Sequence, residues 1–532
     1  MADTGPWQAS AGFELDGGGQ PDPQALLGRL QQFPPYPPTP VADLIARSQR
    51  RVRRLRRTRL IAGVVASLVV VVAAGVQVAA HAHHGQTTAG PGDITRFSAA
   101  PDNPAPTSPV AAQVEGASWR GHGELAFTSS GQLDLLAIDG TVVTVPGPGT
   151  ASDPQWSADG AWVAYLRTPA PPAKEPSDLE PSTLWVTGAA GTDTHPLSAG
   201  TSDVTEFAWA PSGDTLVFEA VGAGPAASSA VTVVLATPAG ASSTPLVSAA
   251  YIGFFAWAPS GQSLALDAVH GYPGGQYRTV DQLEIVPIDG GAPRVVYSHA
   301  PTAAVVATWW PHGSGLLFWV DPGGSGSAAA DGMQLESIDL SSGTVRPLAT
   351  TLPYRNWLAW SPDGTTVALV AGTDRVAWDP SRRVEWCRIP AGTCTAVASV
   401  TGTLSLEPAW TASGALLFVR APSANPDASR LPWSSGAGEP YAPASIAAWL
   451  DDQTLWTVSP GGGSARLLTG GGAHSPVTAG EGEVFFRHGQ LWWLDPSTGA
   501  TATIAGPIGT AGIDGTSYYG YIDWSRTFTW HR

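Results

Sequence analysis

The sequence predicts an all-β protein, a β-propeller of eight four-stranded blades, with seven blades as the alternative. Three observations lead to this prediction. A tryptophan followed by a tight turn and an alternating strand occurs six times, the copies lie 48 to 53 residues apart, and glycine, proline and tryptophan are abundant. Regular repeats of this kind indicate an array of small units that bury their apolar faces against one another.

The repeat is clearest at residues 360–364, Trp-Ser-Pro-Asp-Gly, which the alternating run 365–370 follows. Proline presets φ for a turn and glycine supplies a positive φ, while apolar residues at every second position give a strand one buried face. We expect each repeated tryptophan to be a structural residue wedged between neighbouring blades. The six copies begin at Trp156, Trp209, Trp257, Trp309, Trp360 and Trp410.

Each unit then continues with a variable loop, a third strand, a short turn and a fourth strand, and four antiparallel strands are the content of one propeller blade. The chain also holds two weaker units, one at 118–139 and one at 477–495. Residues 519–530 repeat the start of a unit without its second half, so we expect the two ends of the chain to share one blade. Third strands are predicted at 183–187, 231–236, 282–289, 333–339, 383–389 and 454–458.

The charge is distributed unevenly. The chain has a formal net charge of −16. Residues 1–59 carry nine arginines and five carboxylates, a net charge of 9 − 5 = +4, so residues 60–532 carry a net charge of −20. An acidic body lacks the clustered Lys and Arg that neutralise phosphates, which argues against a nucleic-acid partner.

The basic segment instead precedes a predicted transmembrane helix at 60–80. These 21 residues contain no charged side chain. A helix of this length can cross the ~30 Å hydrocarbon core of a bilayer. Eight arginines lie between Arg47 and Arg59, and no charged residue follows until Asp93, so the positive-inside rule places the N-terminus in the cytoplasm. The arginines are also expected to bind anionic lipid.

The competing interpretation of 60–80 is a long signal peptide cleaved at Ala80-His81-Ala82, but a preceding region of almost sixty residues favours a retained signal anchor. The predicted domains are a disordered Pro-rich and Arg-rich cytoplasmic tail (1–59), the helix (60–80), a Pro/Gly/Ala/Thr spacer (81–112) and an extracytoplasmic propeller (113–532).

The repeated tryptophan, its Ser/Ala-Pro-Asp/Ser-Gly turn and its alternating strand resemble the repeat of the TolB-type, WD40-like propeller family over about residues 113–532. The copies at Trp309 and Trp410 depart from the family turn. The resemblance implies a membrane-anchored bacterial protein, of actinobacterial type, and it says little about activity. Similar blades occur in periplasmic scaffold proteins, in prolyl-oligopeptidase-type enzymes and in some lyases.

No catalytic, cofactor or metal site is predicted from the sequence. Residues 515–520, Gly-Thr-Ser-Tyr-Tyr-Gly, resemble the nucleophile elbow of prolyl-oligopeptidase-type hydrolases, but only twelve residues follow, too few for the base and acid of a triad. We interpret this segment as a turn before the closing strand. Calcium-loop, zinc and nucleotide motifs are absent from the sequence.

Cys387 and Cys394, the only cysteines, lie seven residues apart across a predicted strand, turn and strand. Outside the membrane disulfides persist, so we predict a structural disulfide, with two free thiols as the alternative. A loop this small makes the bond a staple on one hairpin.

The long loops between second and third strands are predicted to lie on one face of the ring. The loop at 420–452 carries Trp433, Tyr441 and Trp449 among Pro, Ser and Gly, which is typical of an exposed binding loop. Neutral drift of loop length is the alternative. The functional hypothesis is a non-enzymatic scaffold or sensor that binds an extracytoplasmic protein or envelope ligand, and the alternative is a hydrolase or polysaccharide lyase with an axial active site.

Overall fold

The structure is a computed structural model of the 532-residue chain. It describes residues 113–114, 119–169, 181–198, 202–222, 231–239, 243–269, 282–298, 303–321, 332–373, 378–423, 448–459, 463–506, 508 and 526–532. None of the helices in these ranges is long and apolar enough to cross a membrane. The predicted transmembrane helix at 60–80 lies outside the described residues.

The described chain is all-β, as predicted, and its strands form antiparallel units of four. Hydrogen bonds divide these strands into seven sheets. One sheet has eight strands because Thr351 pairs with Ala371 and thereby joins two successive units. The four-stranded unit, called a blade below, therefore occurs eight times in the described residues.

The blades follow one another in chain order. The strands of the first three blades are, in blade 1, Glu124–Ser129, Gln132–Leu136, Val142–Val145 and Phe528–His531; in blade 2, Thr150–Trp156, Trp162–Thr168, Thr183–Gly188 and His195–Pro196; and in blade 3, Ser202–Trp209, Leu216–Gly222, Val231–Ala236 and Ser243–Ala249. Those of the next three are, in blade 4, Tyr251–Trp257, Ser263–Val269, Gln282–Pro287 and Arg294–Ser298; in blade 5, Ala303–Trp309, Gly315–Asp321, Met333–Asp339 and Val345–Thr351; and in blade 6, Leu358–Trp360, Thr366–Ala371, Arg383–Arg388 and Thr393–Ala396. The last two have, in blade 7, Thr403–Trp410, Leu416–Pro422, Thr454–Val458 and Arg466–Thr469; and in blade 8, Ala473–Ala479, Gly482–Arg487, Gln490–Leu494 and Thr501–Gly506. A 3₁₀ helix, Arg355–Trp357, precedes blade 6, and residues 448–451 are helical.

The two ends of the chain close the ring in blade 1, as the half-unit predicted. Phe528–His531 pairs antiparallel with Glu124–Ser129, so it is the first strand of that blade and Trp530 lies opposite Leu125. Phe528 contacts Phe486 of blade 8 edge to face, with ring centroids 5.4 Å apart. Gln113–Val114 adds a fifth strand to blade 8 by pairing with Thr501–Gly506.

A hydrogen bond from the repeated tryptophan links neighbouring blades. In four copies the indole Nε1–H donates, over 2.9 to 3.0 Å, to the carbonyl of the residue just before the tryptophan of the preceding blade. The indole is thus both an apolar wedge and a donor to a first-strand carbonyl. The donor and acceptor pairs are Trp209 with Gln155, Trp257 with Ala208, Trp309 with Ala256, and Trp410 with Ala359.

The turn after the tryptophan closes through side chains. The Ser361 hydroxyl donates to Asp363 Oδ1 at 2.6 Å and accepts the Thr366 amide at 3.0 Å. Gly364 has a φ of +68°, which an L side chain rarely adopts. The Ser361 hydroxyl, followed by the Thr365 amide and hydroxyl, lowers the pKa of Asp363. We call the side of the ring with these turns the turn face, and the opposite side, where second strands end, the loop face.

Arginines near the ends of two second strands make further links to the preceding blade. Arg167 is buried and donates to the carbonyls of Val145 at 3.1 Å and Pro148 at 3.3 Å. Arg420 donates to Ala398 at 3.0 Å while its guanidinium lies 4.2 Å from the centroid of Trp456. These links lie towards the loop face, whereas the indole links lie towards the turn face.

The predicted disulfide is present. Cys387 and Cys394 are bonded and lie directly opposite each other on the third and fourth strands of blade 6. The Cys387 side chain is fully buried in the apolar cluster between blades 5 and 6. The bond therefore fastens the outer strand of blade 6 to the rest of that blade.

Replacing an indole by a phenyl ring should separate its two roles. Trp257→Phe removes the donor to Ala208, whereas Trp360→Phe removes an N–H that has no partner among the described residues. We expect Trp257→Phe to lower the free energy of unfolding by about 1 kcal/mol more than Trp360→Phe, as measured by urea denaturation. Equal losses would show that only the apolar wedge matters.

Removing the disulfide by the double change Cys387→Ala and Cys394→Ala should lower stability by about 2 kcal/mol, since the eight-residue loop closes at little entropic cost. The same denaturation experiment measures this loss. A reducing agent should reproduce it in the wild-type protein and leave the double variant unchanged; a reductant effect on the variant would point to another cause.

Candidate functional site

The centre of the ring is lined by first strands that carry a β-bulge near their middle. Blades 2, 3, 4, 5, 7 and 8 all show this register shift. In three of them the bulged residue has a positive φ, which is uncommon outside glycine: Asp153 at 60°, Glu407 at 50° and Ser475 at 52°. A bulge reorients a side chain that would otherwise follow the strand alternation.

Carboxylates at these bulges pair with groups from other blades. Glu206 of blade 3 forms an ion pair with Arg355, which precedes blade 6, and its Oε1 lies 2.6 Å from Arg355 Nη1. The same guanidinium donates to the carbonyls of Phe255 and Val306, both at 3.2 Å, and lies 4.7 Å from the ring centroid of Phe254. Arg355 thus reaches across the centre of the ring and contacts blades 3, 4 and 5.

Two more carboxylates at bulges contact a residue of a neighbouring blade. Asp153 of blade 2 pairs with Arg526, just before the closing strand of blade 1, at 2.7 Å. Glu407 of blade 7 accepts the amide of Ser475 at 2.6 Å and its hydroxyl at 3.3 Å. Each contact joins adjacent blades at the axis, so the charged centre is also a set of links between blades.

Second strands bring further carboxylates to positions opposite the bulges. Asp267 is buried, and its Oδ1 accepts the amides of Phe254 at 2.9 Å and Val306 at 3.1 Å. A Cβ on Gly253 would lie only 1.7 Å from Asp267 Oδ2, so glycine is required there. Asp267 therefore fixes the bulge of blade 4 and the first strand of blade 5 together.

The described centre carries carboxylates in contacts between blades. Its carboxylates already have guanidinium or amide partners, so a ligand would compete with pairs that hold the ring together. Within the described ranges, the one group of three metal-ligating residues is Glu385, Cys387 and Cys394, and its two sulfurs are bonded to each other.

The turn face carries a cleft of about 980 Å³ where blades 7, 8 and 1 meet. Thr411, Ser413, Gly480, Glu481, Trp493 and Trp530 are among the residues that line it. Blade 8 has a first turn of only two residues, Gly480 and Glu481, because Ala479 pairs with Gly482. The short turn leaves the space that the longer turns of other blades fill.

The loop residues predicted to bind a partner are only partly described. Trp433 and Tyr441, like residues 515–520, lie outside the described residues. Trp449 is 2% exposed, its Nε1–H donates to the Pro422 carbonyl at 3.0 Å, and its ring meets Trp378 edge to face. The structure therefore places Trp449 inside the domain, against the expectation of an exposed side chain, because two aromatic rings bury each other there.

The axial carboxylates were not predicted from the sequence, although the repeat contains a signal for them. Asp153, Glu206 and Glu407 each lie three residues before a repeated tryptophan. An alignment of the six copies would have shown a carboxylate at this position in three of them.

Comparisons with known proteins identify no relative by sequence: no protein-family model and no curated protein sequence matches the chain. Similar solved structures include TolB from Acinetobacter baumannii, with 14% identity over 52% of this chain and 64% of TolB and a TM-score of 0.34. A prolyl endopeptidase matches with 13% identity, 67% of this chain, 49% of its own length and a TM-score of 0.45.

The β-propeller domain of the Trilobed protease from Pyrococcus furiosus matches with 12% identity over 66% of this chain and 96% of its own, at a TM-score of 0.38. The chain thus spans less than two thirds of the length of TolB and about half of the endopeptidase. With scores this low, the fold assignment depends on the strand pairing described above.

The Arg355–Glu206 ion pair should contribute more to the free energy of unfolding than an ion pair on the surface does. Arg355→Met leaves a carboxylate whose side chain is only 11% exposed without its partner, and we expect a loss of about 2 kcal/mol in unfolding free energy. Adding Glu206→Gln should restore part of that loss. The control is Arg383→Met, since Arg383 is 52% exposed and its pair with Glu385 should contribute under ~1 kcal/mol. Equal losses for the two arginines would contradict the assigned role.

Proposed function

We propose that the protein is a membrane-anchored, extracytoplasmic TolB-like propeller of eight blades that acts as a protein- or ligand-binding scaffold or sensor at the bacterial cell envelope. One observation carries the binding role. The charged groups at the centre are engaged in pairs between blades, as Arg355–Glu206 and Arg526–Asp153 illustrate. Such pairs hold a surface rigid for recognition, and rigidity reduces the entropy lost on binding.

The position of the first described strand supports a tethered domain. Gln113 pairs with Gly506, the last residue of the fourth strand of blade 8, so the chain enters the domain at the loop face. The spacer 81–112 then separates that entry point from the proposed span at 60–80. Linkers of this length and composition have an end-to-end distance of roughly 30 Å. The long loops and the anchor would share one face, which favours a partner close to the membrane.

The disulfide gives independent support for the proposed compartment. Disulfides form and persist in oxidising surroundings outside the cytoplasm. The bonded pair Cys387 and Cys394 lies in the domain that the arginine distribution assigns to the outside. The anchor, the anionic-lipid contact and the location are parts of the same proposal.

The second candidate is an enzyme with an axial site, a hydrolase or polysaccharide lyase. The observation that favours it is the gathering of carboxylates at the bulges, with Glu407 in a positive-φ conformation that non-glycine residues rarely adopt. Strained residues often serve active sites. Glu407 also contacts Ser475 of the next blade, and this structural role accounts for the same geometry.

Co-purification with the full-length chain distinguishes the two candidates. We expect envelope proteins or ligands to be retained by the wild-type protein, and retention to fall at least fivefold when Trp433→Ala and Tyr441→Ala are combined. Ser212→Ala, in the described turn after Trp209, is the matched control and should retain them fully. Hydrolysis or lyase turnover that disappears in Glu407→Gln would instead establish the enzyme.

Protease treatment of intact cells tests the proposed topology separately. Added protease should digest the propeller and spare residues 1–59. A protected propeller would overturn the anchor proposal without affecting the binding assay.

A further inference from the structure

Blade 8 departs from the repeat at the seam where it packs against blade 7. In blades 2 and 7 the tryptophan follows the positive-φ bulge residue by three positions, as Trp156 follows Asp153 and Trp410 follows Glu407. In blade 8 the position three after Ser475 is Thr478. Its hydroxyl donates to the Trp410 carbonyl at 2.6 Å. A small hydroxyl thus replaces the indole as the link between these two blades.

The residue paired with that position changes as well. The tryptophans of blades 2 and 7 lie opposite Val163 and Leu416, and both aliphatic side chains are fully buried. Thr478 lies opposite Glu483, which is also 0% exposed. Because residues directly opposite each other on paired strands share a face, Glu483 lies on the blade 7 side of blade 8. A carboxyl group occupies a slot that is apolar in the other blades.

The surroundings give this carboxyl no charged partner among the described residues. Neither Glu483 oxygen makes a hydrogen bond of ordinary geometry there. Burial raises the pKa of Glu483 to about 8, although the nearby Thr478 hydroxyl lowers it in part. The group is therefore uncharged in the closed domain at neutral pH, since desolvation penalises the ionised form.

The other titratable groups of the packed strands are engaged elsewhere. Their partners leave none of them directed at Glu483. In blade 7, Glu407 binds Ser475, Arg420 stacks on Trp456, and Arg466 donates to the Pro496 carbonyl at 3.1 Å. In blade 8, Arg487 stacks on Trp492, His474 stacks on Phe486, Asp495 binds Ser497, and Glu481 is exposed on the turn.

We propose that the contact between blades 7 and 8 opens and closes with the protonation of Glu483. The two blades stay in contact while the Glu483 carboxyl is protonated, and they separate when it loses that proton. Three features coincide at this seam: Thr478 replaces the repeated tryptophan, the apolar slot holds a carboxyl, and the two-residue turn lies at the 980 Å³ cleft. Opening would enlarge that cleft and expose first-strand edges to a partner.

The direction of the pH effect follows from the two states. An exposed glutamate in the open seam ionises near its ordinary value of 4.5, whereas the closed seam holds the proton up to about pH 8. Between these values opening releases one proton. The opening equilibrium should therefore rise about tenfold for each unit of pH, and closure is favoured by acid.

Hydrogen–deuterium exchange of the full-length protein at pH 5.5 and 7.5, corrected for the intrinsic rate, tests this proposal. We expect protection in Ala473–Ala479 and Gly482–Arg487 to fall about 100-fold between the two pH values in the wild-type protein. Glu483→Gln should change less than threefold, because the amide cannot ionise. Ser202–Trp209 and Leu216–Gly222 of blade 3 serve as internal reference strands and should change little.

Two further variants make the result decisive. Glu481→Gln, at the exposed neighbouring carboxylate, should behave as the wild type does. Glu483→Leu, the residue type of the other blades, should raise protection at pH 7.5; if it fails to fold, the comparison with Glu483→Gln stands alone. Equal pH dependence in wild type and Glu483→Gln, or none in the wild type, would overturn the proposal.

Discussion

The hydrogen bond from an indole N–H to a carbonyl of the preceding blade is the interaction on which the ring most depends. First strands expose carbonyls that their own sheet does not use, and the indoles of Trp209, Trp257, Trp309 and Trp410 satisfy four of them. An unpaired carbonyl at a buried seam would be costly. In these four repeats one residue therefore supplies both apolar area and a polar contact, and it sets the relative position of adjacent sheets.

The centre of the ring has a second set of links with a different character. Arg355 crosses from blade 6 to blades 3, 4 and 5, and Arg526 joins blade 1 to blade 2. Charge pairs of this kind require low solvent exposure to be strong, yet a binding site requires access. The side chain of Arg355 is 30% exposed, so its pair with Glu206 is only partly shielded from water.

Sequence reasoning succeeded where the signal was local. Third strands such as Val231–Ala236 and Met333–Asp339 begin and end where the pattern predicted, and the disulfide follows from two cysteines on one hairpin. It was wrong about Trp449, because burial against Trp378 depends on how a distant loop packs. It could not find Arg355 with Glu206, which are 149 residues apart and meet only after the ring has formed.

The shared blade has a consequence for biosynthesis. Glu124–Ser129 is made early, but its first-strand partner, Phe528–His531, is made about 400 residues later. At 5 to 20 residues per second the ribosome needs roughly 20 to 80 seconds to cover that interval. Throughout that time an unpaired strand edge of blade 1 is open to wrong partners. A chaperone that covers this edge would therefore act on nascent chains, and it would have no target once the last strand has paired.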